Sequence, residues 1–100
     1  MYEKYFPTEF EESLLKEIVD SAFQVHKNLG PGLFERIYEV CFCYELGKRN
    51  INFLTQVKIP ISYDNLLFDE GYRIDVLVED KIVCELKAVI DIMLYLMRKF

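Results

Sequence analysis

An α+β fold follows from three features of the sequence. Apolar residues recur at helical spacing through the first half, the period changes to two after Ile51, and strong turn signals separate the segments. The predicted order is two N-terminal helices, a three-stranded antiparallel meander and a short C-terminal helix, in a single domain over residues 1–100. Apolar residues make up 52% of the chain and aromatics 15%, enough for a packed globule and too many for a disordered segment.

The first helix is predicted from Glu9 to Lys27. Thr8 and Glu11 have the spacing of a capping box, and Leu15, Ile18, Ala22, Val25 and Leu29 follow on one face. The Asn28-Leu-Gly-Pro-Gly32 stretch ends it and turns the chain. A second helix follows over Leu33 to Lys48. Its apolar residues spread around the cylinder, with Ile37, Cys41 and Tyr44 on one side and Tyr38 and Phe42 on another, which predicts burial on more than one face. Then Val57, Ile59, Ile61 and Tyr63 alternate with polar residues or proline, and Asp64-Asn65 makes a turn before Leu66-Leu67-Phe68. Gly71 interrupts the returning strand and allows a bulge there. Strand signal resumes from Tyr72 to Val78 and again from Ile82 to Ala88. In the tail, Ile90, Met93, Leu94 and Met97 recur at helical spacing ahead of Arg98-Lys99.

Composition excludes several classes of function. A formal net charge of −5 gives no global basic field for nucleic acid, so any contact with phosphates needs a local basic group or a bound cation. Cys41, Cys43 and Cys84 are odd in number and suit reduced thiols in a cytoplasmic protein better than a disulfide framework. The spacing of Cys41 and Cys43 is a weak zinc signal, and no basic neighbour favours a redox thiol. His26 is the single histidine, which disfavours a His-based metal site or a Ser-His-Asp triad; a surface position or a partnership with the helix dipole is expected for it. No stretch resembles a secretion signal or a membrane span.

The hairpin from Arg73 to Ala88 carries the chemistry. If Ile74, Val76 and Val78 line one core with Ile82, Cys84 and Leu86, then 78 faces 82, 76 faces 84 and 74 faces 86 across a three-residue loop, Glu79-Asp80-Lys81. The other face then places Asp75 opposite Glu85, with Lys87 two residues along. Like charges directly opposed in a sheet are destabilising. Two compensations are open: a solvated face balanced by Lys87 and Arg73, or a divalent cation between the carboxylates, with oxygen ligands as magnesium prefers. Two acids and a lysine on one face are the parts that metal-assisted phosphodiester hydrolysis requires.

Asp75, nine residues and then Glu85-Leu86-Lys87 resemble the Asp-x(n)-Glu-x-Lys signature of the PD-(D/E)XK nuclease superfamily. Gly32-Leu-Phe-Glu35-Arg-Ile-Tyr38 resembles the Gly-x-x-Glu-x-x-Tyr motif of its bacterial GxxExxY family, and "LGPGLFERIYE", "IPISY" and "GYRIDVLVEDKIVCELKA" occur in that family's order. The resemblance covers residues 10 to 90. It implies a restriction-endonuclease-like core of helix on mixed sheet that uses Mg2+ or Mn2+. By position, Asp75 and Glu85 would be metal-binding carboxylates, Glu35 the helix acid near or on the metal, and Lys87 the catalytic lysine. Gln56 would help line the site, while Lys58 and Arg73, together with Lys81 and Lys87, would form a local basic surface for DNA or RNA. Tyr38 is expected mainly to pack. The tail departs from the family pattern and looks truncated, with a last helix and strand missing and a sheet edge uncovered. A second reading follows, in which the chain is an inactive nuclease-fold remnant or interaction module that forms a homodimer through that edge.

Overall fold

A computed structural model describes residues 7–86 and the backbone of residues 92–96. Helix α1 spans Glu9–Leu29 and α2 spans Glu35–Lys48; they are followed by β1 (Phe53–Tyr63), β2 (Leu66–Val78), β3 (Ile82–Leu86) and β4 (Ile92–Leu96). The strands form one antiparallel meander in the order β1-β2-β3-β4.

The capping box forms at the start of α1. The Thr8 hydroxyl accepts the Glu11 N–H at 3.2 Å, and the Glu11 carboxylate accepts the Thr8 N–H at 2.9 Å. At the other end the Gly30 N–H donates to the His26 carbonyl, with Gly30 at φ 73° and Gly32 at φ 94°, a region that favours glycine. Tyr38 then ties the turn together. Its hydroxyl donates to the Gly30 carbonyl at 2.7 Å and accepts the Leu33 N–H at 3.0 Å, so a side chain from inside α2 fixes the loop that leads into it. The ring is buried and stacks on His26 at 4.9 Å. His26 is therefore a buried partner of Tyr38 in the last turn of α1; of the two expectations for it, the surface position is not found, while its place at the helix C-terminus is the one a dipole partner takes.

Helix α2 buries one stripe, Tyr38, Phe42 and Leu46, at a spacing of four residues. Burial on several faces is not found, since Ile37, Val40 and Tyr44 are exposed. The stripe meets Leu14, Ile18, Ala22 and Val25 of α1 above Val76, Val78, Ile82, Cys84 and Leu86 of the sheet. A second, smaller cluster contains Ile74, Leu77 and Val83, with Val57 and Ile59 against it. Arg49, at the end of α2, clamps the helices together, its guanidinium donating to Glu17 and Asp20 of α1 at 2.7 Å each.

The hairpin turns match the sequence. Tyr63 pairs with Leu66 across the two-residue Asp64-Asn65 turn, and Val78 pairs with Ile82 across Glu79-Asp80-Lys81. The β1–β2 register shifts between Ile59 and Ile61, where Pro60 stands against Asp69-Glu70-Gly71. A Cβ on Gly71 would run into Ile61, so this bulge requires glycine. Beyond it the hairpin projects as an arm, and residues 60–73 are all exposed.

The tail differs from expectation. Residues 92–96 form β4 and not part of a helix, pairing from Leu86↔Ile92 to Ile82↔Leu96. Helical spacing over so short a segment gives little intrinsic stability, whereas the free edge of β3 offers a row of backbone partners. The edge of β3 expected to lie open is thus covered, and β1 forms the other margin of the sheet.

Candidate functional site

A cleft of about 600 Å³ opens between α2 and the inner ends of β1 and β2. Glu35, Arg36, Glu39, Val40 and Cys43 line it from the helix, and Thr55, Gln56, Arg73 and Asp75 from the sheet. Three carboxylates and two guanidiniums thus share a partly open space. Glu35 is the first residue of α2, set there by the turn that Tyr38 holds.

Asp75 reaches this cleft through a break in strand alternation. Val76 packs in the main core beneath the helices, whereas Ile74 belongs to the second cluster with Leu77. In an uninterrupted strand Ile74 and Val76 would share a face and Ile74 and Leu77 would not. Asp75 and Val76 are therefore consecutive residues on the helical side. The partner strand breaks at the same level. Thr55 pairs with Val76 and Val57 with Ile74, while Gln56 between them has a left-handed backbone, φ 54°. Its Nε2 donates to both Glu39 carboxylate oxygens, at 3.1 and 3.2 Å.

This local geometry corrects the alternation read from the sequence. Register 78↔82 and 76↔84 holds, but the ladder does not continue to an Asp75↔Glu85 pair. Ile74 has left the core face, and Asp75 has turned toward α2. Glu85 lies between Cys84 and Leu86, both in the main core, so strand alternation points it to the opposite face of the sheet.

Of the residues singled out from the sequence, the structure brings Glu35, Gln56, Arg73 and Asp75 to one cleft. Lys58 lies farther along β1, with Glu70 at 3.7 Å from its ammonium. Lys87 lies outside the described residues. Among the described residues no three His, Cys, Asp or Glu side chains converge closely enough to hold a metal ion. The acids of the cleft thus do not by themselves make up a metal centre in this arrangement.

Two charged cleft residues were not anticipated. Glu39 follows Glu35 by one helical turn, and that spacing alone places both carboxylates on one face. Arg36 carries no comparable signal. Cys43 also lines the cleft; burial, reinforced by Glu39, pushes its thiol up to about 11. Burial, with Cys43 nearby, pushes Cys84 up to about 12. Both stay protonated at neutral pH, which removes them as thiolate nucleophiles there.

Two helices laid across one side of an antiparallel sheet, with an acid-lined cleft where the second helix starts, define an α+β domain whose polar chemistry is gathered at a helix–sheet junction. The family profile of the PD-(D/E)XK nuclease superfamily matches residues 12–97, which takes in both helices and the sheet. The chain belongs to that superfamily. No curated protein and no solved structure matches it. Among the described residues, no helix is long and apolar enough to cross a membrane.

Proposed function

We propose that this chain is a metal-dependent nuclease of the GxxExxY type, hydrolysing phosphodiester bonds of DNA or RNA in the cytoplasm. One observation carries the reading: Glu35, the acid of the Gly-x-x-Glu-x-x-Tyr stretch, and Asp75, the acid of the Asp-x(n)-Glu-x-Lys stretch, line the same cleft although 40 positions separate them in sequence. Arg73 and Gln56 border these acids and are suited to phosphate oxygens, which guanidinium and amide groups bind by directed hydrogen bonds. Lys58 would extend that surface along β1. Lys87 is proposed from the signature as the catalytic lysine and Mg2+ or Mn2+ as the cofactor; the signature also names Glu85 as the second metal-binding carboxylate, a role that requires Asp75 and Glu85 to share a face of the sheet.

The test is a magnesium and manganese titration read by thermal unfolding, with cleavage of single- and double-stranded DNA and RNA followed in parallel. Wild type, Asp75→Asn, Glu35→Gln, Glu85→Gln and Lys87→Ala are compared. Metal-dependent stabilisation that vanishes in Asp75→Asn, with cleavage lost in the same variant, is the expected result, because an ion that binds only the native state must raise its stability. A wild type that neither gains stability nor cuts any substrate refutes the reading.

A second reading, a non-catalytic module that forms a homodimer, draws on the exposed arm, where Ile61, Tyr63, Leu66, Leu67 and Phe68 face solvent. Light scattering separates the two, since a monodisperse monomer removes the support for this one.

A further inference from the structure

Asp75 enters the cleft only because alternation breaks on both strands at once, and the break has a visible support. A non-glycine residue with a left-handed backbone inside a strand persists when its surroundings over-determine it. Gln56 is such a residue, with φ 54°. Its side chain is held by Glu39, whose two carboxylate oxygens both accept from the same Nε2. The ladder is regular on either side, with Thr55↔Val76 before the break and Val57↔Ile74 and Lys58↔Arg73 after it. The residues that change face are therefore confined to the level of Gln56 and Asp75, directly beneath Glu39.

We infer that Glu39 is a positioning residue: by gripping Gln56 it holds the paired break in alternation of β1 and β2 that turns Asp75 toward α2 and Glu35. Without that grip, the pairs on either side favour uninterrupted alternation. Asp75 would then leave the cleft, and Ile74 would rejoin the face of Val76. Glu39 acts through the backbone of β1 and touches no reacting group, so its charge is dispensable provided an acceptor remains. The role in catalysis rests on the nuclease reading above; the structural role does not.

Four variants separate these points: Glu39→Ala, Glu39→Gln, Gln56→Gly, and the double variant Glu39→Ala with Gln56→Gly. Two NMR signatures report the break in alternation in the protein without added metal. One is a strong intraresidue Hα–HN NOE at position 56, which a left-handed backbone gives and a strand does not. The other is methyl contact between Ile74 and Leu77, which uninterrupted alternation forbids. Glu39→Ala is expected to lose both signatures and to lower kcat about a hundredfold, the scale of a displaced catalytic group. Glu39→Gln keeps an oxygen to accept from Gln56 and should retain both signatures and most of kcat. Gln56→Gly adopts the left-handed backbone without help, so it should restore the methyl contact in the Glu39→Ala background.

Three results would overturn the inference. In the first, Glu39→Ala leaves both signatures intact. In the second, Glu39→Gln loses activity as fully as Glu39→Ala while keeping the break in alternation, which would make Glu39 a direct participant. In the third, the double variant does not regain the methyl contact that Glu39→Ala has lost. A wild type that cuts nothing would sink the nuclease reading alone, because the two NMR signatures still decide whether Glu39 sets the face of Asp75.

Discussion

Tyr38→Phe tests how the turn before α2 is built. The change removes one oxygen and leaves a ring that is 1% exposed and stacked on His26. That oxygen makes two bonds, donating to the Gly30 carbonyl at 2.7 Å and accepting the Leu33 N–H at 3.0 Å. Gly30 and Leu33 lie near solvent, so water can reach part of what is stranded, and each bond is worth about 0.5–1.5 kcal/mol net. Their joint loss should cost about 2 kcal/mol. For a domain of this size that lowers Tm by roughly 10 °C.

The assay is urea unfolding of both proteins without metal, checked against thermal midpoints. The m value should not change, because the same surface is exposed on unfolding. A loss under about 0.5 kcal/mol would refute the reasoning, since it would mean the hydroxyl does not hold the turn. The same variant has a functional consequence. Glu35 starts the helix at the end of this turn, so loosening residues 30–34 should lower kcat as well as stability.

Three further outcomes follow from the geometry. Gly71→Ala drives a Cβ into Ile61, whose own Cβ would lie 2.6 Å away; it should cost about 1–3 kcal/mol by urea unfolding, and Ile61→Gly should relieve it where Ile61→Ala does not. Arg49→Ala breaks two ion pairs between the helices and should cost about 0.5–1 kcal/mol at low salt and less at 1 M salt, measured by the same method. The Cys43 and Cys84 thiols are raised from 9.0 to about 11 and about 12, so the folded state holds their protons more tightly than the unfolded chain does. Their contribution is complete below pH 9 and is lost as pH rises toward 11 to 12; urea midpoints should fall over that range, and less steeply in Cys84→Ala.

Local rules made much of this fold legible. The Thr8/Glu11 box, the Gly30-Pro31-Gly32 stop, the Asp64-Asn65 turn and the bulge at Gly71 each rest on residues with strong backbone or capping preferences. The register 78↔82 and 76↔84 followed from matching two short apolar sets across a loop. What failed had no local signature. Gln56 and Asp75 are not residues that announce a break in alternation, and the left-handed backbone at Gln56 coincides with a side-chain bond to a helix 17 positions earlier. The tail likewise pairs with β3 because an edge was available, which a single segment cannot reveal. Glu39 could have been found, since one helical turn from Glu35 puts it on the same face.

The broken alternation changes what the Asp-x(n)-Glu-x-Lys spacing can mean. Counted along an uninterrupted hairpin, Asp75 and Glu85 oppose each other and must repel or share a cation. In the structure they lie on opposite faces of the sheet, and the acids that share a cleft with Asp75 are Glu35 and Glu39. The two arrangements predict different orders of sensitivity. If the site is the cleft, Glu35→Gln should match Asp75→Asn in lost cleavage, and Glu85→Gln should cost much less. If Glu85→Gln were as damaging as Asp75→Asn while Glu35→Gln were mild, the working enzyme would have Asp75 on the face of Glu85, and the strands at Gln56 would have to return to regular alternation before phosphodiester hydrolysis begins.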